Sequence, residues 1–129
     1  GIILKISEQL EREKKIKQEI NRLKKIYKDL PKDKAKVVDG LITEVAFMKL
    51  TLEELRQDIF LNGEFELYEN GPQVVKRERP ESKKYDARCK TYSSVMKQLI
   101  DYMPEEKQKE ENDELKEFLN RRKVKKWLI

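Results

Sequence analysis

Val38, Leu41, Val45, Met48, Leu52, Leu55 and Ile59 follow one another at spacings of 3-4-3-4-3-4 without a fault. Residues spaced this way share one side of an α-helix and no single face of a strand. This stripe limits the possible folds more than any other feature of the chain. Ile42, Ala46 and Phe47 widen it, so the helix buries a broad face rather than a narrow seam. A second stripe, Tyr85, Cys89, Tyr92, Met96, Leu99 and Met103, is spaced 4-3-4-3-4. A third, Ile16, Ile20, Leu23, Tyr27 and Leu30, is spaced 4-3-4-3. Four Gly and four Pro in 129 residues leave little turn chemistry for a β-sandwich or a loop-rich fold. The expected class is mainly α, with long antiparallel helices.

Proline and glycine mark the boundaries. The first helix is expected from about residue 3 to residue 30, closed by Pro31. Ile3, Ile6 and Leu10 open its apolar pattern, but the charged residues 11–15 interrupt it, so these turns meet a different partner or fray. In the second helix Asp33 is the expected N-cap and Asn62-Gly63 the stop. Gly40 lies inside that helix at a cost of about 1 kcal/mol against Ala, which a close helix crossing would explain. The period then changes to two. Glu64 to Tyr68 and Gln73 to Lys76 read as a small β-hairpin over residues 64–76. Asn70-Gly71 is its expected turn, leaving Pro72 for an edge or bulge position. A lone hairpin is marginal in water, so this one should lean on a helix or on a neighbouring subunit. Pro80 restarts a helix over 80–103, and Pro104 stops it. Residues 1–104 thus form one helical core, and 105–129 a charged tail.

Composition excludes several function classes. Histidine is absent, which removes the commonest general base and the commonest zinc ligand. The single cysteine, Cys89, forms no internal disulfide and points to a reducing compartment. It lies within an apolar stripe, where packing rather than nucleophilic chemistry explains it. No Gly-rich phosphate loop precedes a Lys-Ser or Lys-Thr pair. No apolar run approaches the roughly 20 residues of a membrane span. The expectation is a soluble, intracellular, non-enzymatic protein with no metal and no cofactor.

Two positive signals remain. One is apolar helical surface in a chain that is 43% charged. An intramolecular helix pair accounts for either long stripe alone. Both together point to a homo-oligomer, in which Val38, Leu41, Val45, Met48, Leu52, Leu55, Ile59, Tyr85, Tyr92, Met96 and Leu99 pack the subunit and also the assembly. The other is basic, in a chain with 30 Lys and Arg against 25 Asp and Glu. Lys14, Lys17, Asn21, Lys24 and Lys28 are spaced 3-4-3-4, with Arg22 and Lys25 nearby. Such a stripe is either a solvated face or a track for DNA phosphates, where released counterions give salt-dependent affinity. Tyr85 and Tyr92 fit a core better than a base-stacking platform. Residues 105–117 hold seven acids and three lysines; Arg121, Arg122, Lys123, Lys125 and Lys126 follow with no acid. Leu115, Phe118 and Leu119 can form a short helix. This charge polarity resembles an interaction appendage more than a core element, and its basic end is a second candidate phosphate site or a disordered tail.

The run from Val37 to Leu55, VVDGLITEVAFMKLTLEEL, resembles the central helix of small terminase subunits from tailed phages of Gram-positive hosts. Leu67-Tyr68-Glu69-Asn70-Gly71, Tyr92 with residues 95–101, and Met103-Pro104 are similar in order and spacing, so the resemblance covers roughly residues 12–104. It implies a non-enzymatic subunit that forms rings of about eight to ten copies, recognises double-stranded phage DNA and regulates a large subunit carrying the ATPase and nuclease. It places the chain in the cytoplasm of an infected bacterium, with the charged tail as a candidate contact for the large subunit. Many relatives carry an N-terminal helix-turn-helix, which this chain does not clearly show. DNA contact therefore falls on Lys14, Lys17, Arg22, Lys24, Lys25 and Lys28. The alternatives are a helical scaffolding protein that binds only protein, and a small dimeric DNA-binding regulator.

Overall fold

The computed structural model describes residues 2–124 and, within them, every side chain but those of Ile2, Leu4 and residues 122–124. Its elements are α1 (Ile2–Ile26), α2 (Lys32–Asn62), β1 (Phe65–Asn70), β2 (Gln73–Glu78), α3 (Pro80–Asp101) and α4 (Glu105–Val124). The fold is mainly α with one antiparallel two-stranded sheet. α1 runs antiparallel to α2, so Glu19 meets Lys49 and, further along, Arg12 meets Glu54. α3 packs along α2, and α4 folds back over α3.

The three apolar stripes converge on one core. Leu23 and Tyr27 of the first segment, Val38, Ile42, Val45, Leu52 and Ile59 of α2, and Tyr85, Tyr92, Met96 and Leu99 of α3 are all buried there, with Leu41, Leu55 and Cys89 packed against it. The core positions of these stripes are therefore the chain's own interior, and α4 covers the side of the α2–α3 pair that would otherwise stay open. Elsewhere on α2, Val37, Phe47, Phe60 and Leu61 remain 42–67% exposed.

Residues 105–124 are likewise corrected from an appendage to a core element. Leu115 and Phe118 are buried in the common core, with Leu119 against it. The Phe118 ring lies 5.3 Å from that of Tyr92. Burying such a side chain contributes about 2–3 kcal/mol, enough for three apolar residues to dock a helix that is otherwise charged. Of the basic cluster near the C-terminus, Arg121 is described and exposed, whereas the side chains from Arg122 onward lie outside the described residues.

Local chemistry sets the boundaries. α1 ends at Ile26 rather than residue 30, because Tyr27 and Leu30 donate their N–H groups to Lys24 and Tyr27 in tightened turns before Pro31. Pro31 itself caps α2 in an extended conformation, with φ −56° and ψ 149°. Asp33 falls inside the first turn instead, where its charge complements the positive end of the helix dipole. Gly63, at φ +84°, ends α2 as expected. No atom lies within 4 Å of a Cβ placed on Gly40, so no helix of the described chain crosses it closely.

In the hairpin, Asn70 pairs with Gln73, so the two-residue loop is Gly71-Pro72 and not Asn70-Gly71. Gly71 has φ +61° at the first central position, the one where a type II′ turn requires glycine. Pro72 thus sits in the loop and removes no donor from the ladder. Arg79 fastens the base of the hairpin, donating to the Gly63 carbonyl at 2.7 Å and to Asp58 at 2.9 Å. Beyond that base the hairpin leans on no helix; Leu67 is 76% exposed and Val74 62%. The register explains this. Phe65, Leu67 and Val74 share one face and Tyr68 and Val75 the other, so neither face is apolar enough to bury alone.

Candidate nucleic-acid interface

α1 carries the basic stripe on the side opposite Leu23 and Tyr27. At 3.6 residues per turn, Lys14, Lys17, Asn21, Lys24 and Lys25 fall within an arc of about 100°, and Lys28 follows in the turn after α1. All five lysines are exposed. None pairs with a carboxylate among the described residues. Glu19 is the only acid between residues 14 and 28, and it points to the other side, toward α2 and α4. From Lys14 to Lys25 the helical part of the ridge is about 17 Å long at 1.5 Å per residue. Lys24 and Lys25 lie in the last turn of α1, where positive charge also favours the helix dipole.

The ridge continues toward the N-terminus with a different chemistry. Ile3, Ile6 and Leu10 precede Lys14 at spacings of 3-4-4 on the same face and are 84%, 52% and 59% exposed. They do not belong to the core stripe that begins at Ile16. The charged residues 11–15 mark the place where the apolar face of α1 changes sides.

Arg22 stands apart from the lysines. Its Nε and Nη2 donate to Glu19 at 2.7 and 3.1 Å, and its Nη1 donates to Glu111 of α4. Those hydrogen bonds hold the guanidinium well above its ordinary value. Glu19 also accepts from Lys49 at 3.3 Å. Burial alone raises the Glu19 carboxyl, but Arg22 and Lys49 outweigh burial and hold it below its ordinary value. Arg22 thus differs from the five lysines in being part of an inter-helix network with Glu19 and Glu111.

No family model, curated protein or solved structure is significantly similar to the chain. Among the described residues, no group of three or more His, Cys, Asp or Glu is placed to hold a metal ion. No described helix is long and apolar enough to cross a membrane.

Sequence reasoning missed the cations beneath α4. Arg56 of α2 donates to the Tyr85 hydroxyl at 3.2 Å and to the Phe118 carbonyl at 3.1 Å. Its guanidinium lies 4.4 Å from the centre of the Phe118 ring. Two signals were available. Arg56 falls between Leu52 and Ile59 at 4-3 spacing, and Glu111 precedes Leu115 and Phe118 at 4-3 spacing. A charge at a core position of a stripe needs a partner of opposite sign or a polar acceptor.

Proposed function

We propose that this chain is a non-enzymatic DNA-recognition and regulatory subunit of a phage genome-packaging motor. It acts as a ring-forming homo-oligomer in the host cytoplasm, beside the large terminase subunit. The observation that carries the DNA part is the α1 ridge: four exposed lysines on one face of the helix and Lys28 in the turn after it, all without a carboxylate partner among the described residues. A ridge of this kind meets phosphates without reading bases. Copies of it around one axis act together, so a weak site in each subunit suffices.

The oligomeric part is supported from another side. The core positions of the heptad stripes are buried within the subunit, and the hairpin offers a neighbour unpaired edges and exposed apolar residues on both faces. What suggests joining the two parts into one reading is the resemblance that the residue pattern of 12–104 bears to small terminase subunits, a resemblance of sequence pattern alone.

Native mass spectrometry at low micromolar concentration is the first test. One closed species of about eight to ten subunits supports the ring, and a monomer or dimer overturns it. DNA affinity measured across a salt series is the second. Replacing Lys14, Lys17, Lys24 and Lys28 together by Gln should flatten the plot of log affinity against log salt by about 3–4, close to one unit per lost phosphate contact. An unchanged slope removes α1 from the DNA interface.

A further inference from the structure

α4 is held to the bundle by cations as well as by its apolar residues. It carries seven acids among its first thirteen residues, and its apolar contribution to the core is Leu115, Phe118 and part of Leu119. Glu111, 5% exposed, accepts a hydrogen bond from Arg22. Arg56 holds the carbonyl and the ring of Phe118, and the Lys49 ammonium lies 5.7 Å from the centre of the same ring. Arg22 and Lys49 also share Glu19.

These cations border the lysine ridge. Arg22 lies three residues before Lys25 on α1, a little less than one turn away. The cleft between α1 and α2 is lined by Lys15, Glu19, Arg22, Lys49 and Glu53. Lys15 and Glu53 offset each other. With α4 docked, Arg22 and Lys49 stand beside two carboxylates, Glu19 and Glu111. With α4 lifted, the same two cations face Glu19 alone. The carboxylate that α4 inserts is therefore the one that neutralises the inner edge of the basic surface.

We propose that α4 is an intramolecular competitor for polyanions: Glu111 occupies Arg22 in the place of a nucleic-acid phosphate, so α4 docking and full DNA engagement by α1 oppose each other. This rests on the DNA reading of the α1 ridge. By linkage, whatever α4 docking takes from DNA affinity, bound DNA takes from α4 docking. The lysines meet DNA first. Arg22, and behind it Lys49, join only as α4 gives way.

The test uses the full chain, duplex DNA as the probe, and Glu111→Gln, which keeps the side chain's shape and removes its charge. The expected result is a DNA affinity about 3–10-fold higher than that of the unaltered chain, with a salt slope steeper by about one. Replacing Arg22 by Gln in the same background should return the slope to its starting value. The second measurement needs no variant: adding DNA to the unaltered chain should speed amide exchange in residues 105–121. Unchanged or weaker affinity in Glu111→Gln, together with unchanged or slower exchange of α4 on DNA, overturns the competition. If binding by the unaltered chain still depends on the α1 lysines in that case, the DNA reading stands alone. If neither protein binds DNA in a salt-dependent way, both readings fall.

Discussion

Glu19 is the residue on which most of the polar interior turns, because it holds Arg22 and Lys49 at once. Its carboxyl titrates below the ordinary value of 4.5 in the folded chain. A depressed carboxyl contributes stability that is complete above its unfolded value and is lost as pH falls through the folded one. Glu19→Gln should therefore lower stability by about 1–2 kcal/mol at neutral pH. The difference from the unaltered chain should close as pH drops below about 4, as read by urea unfolding at several pH values. The buried tyrosines give the opposite sign. Burial raises the hydroxyls of Tyr27, Tyr85 and Tyr92, with nearby carboxylates adding to the effect at Tyr27 and Tyr92 and the Arg56 hydrogen bond opposing it at Tyr85. Tyr27 also donates to the Leu99 carbonyl and so ties the end of α1 to α3. A raised acid leaves stability complete below the unfolded value of 10.0 and removes it as pH climbs beyond. Unfolding midpoints in urea should hold steady to about pH 10 and then fall. A midpoint indifferent to pH through that range would show that these hydroxyls ionise without disturbing the core.

At the scale of the element, two glycines make opposite predictions. Gly40 lies in the interior of α2 with open space where a Cβ would point. Gly40→Ala should therefore stabilise the subunit by about 0.5–1 kcal/mol, measured by denaturant unfolding. Gly71 has φ +61° in the hairpin loop, where Gly71→Ala should cost about 1–2 kcal/mol. Its effect should appear as faster amide exchange in β1 and β2 while helical circular dichroism stays unchanged. The elements differ in how far their sequences reveal them. α2 and α3 are legible because their 3-4 periodicity is unbroken and prolines or glycines bracket them. α1 is half legible, since its apolar residues change sides near residues 11–15, and a pattern read by spacing alone merges Ile3, Ile6 and Leu10 with the core. α4 is the least legible. Leu115, Phe118 and Leu119 are few beside seven acids, and the cations on other helices that meet Glu111 and Phe118 are not revealed by local spacing. The lysine ridge was readable for the same reason that α2 was. Arg22 was not, because its direction depends on Glu111, 89 residues away.

For the whole molecule, the question is which surfaces belong to the subunit and which to an assembly. Leu52 is fully buried among the chain's own residues. Leu52→Ala should cost about 2–5 kcal/mol, and its thermal midpoint should drop by the same amount at every protein concentration. An interface residue behaves otherwise, because its contribution grows with the concentration of partners. Leu67, 76% exposed on β1, and Val74, 62% exposed on β2, share one hairpin face. Replacing both by Lys removes little that the subunit itself buries, so secondary structure and unfolding at high dilution should change little. If the hairpin joins neighbours, the same variant should shift the native mass toward monomer and make the unfolding midpoint depend on concentration. The two experiments bear on each other. A concentration-dependent loss in Leu52→Ala alone would move the interface back to the heptad stripes. A mass shift in the hairpin variant alone fits a chain whose long helices close on themselves, leaving its small β element for a neighbour.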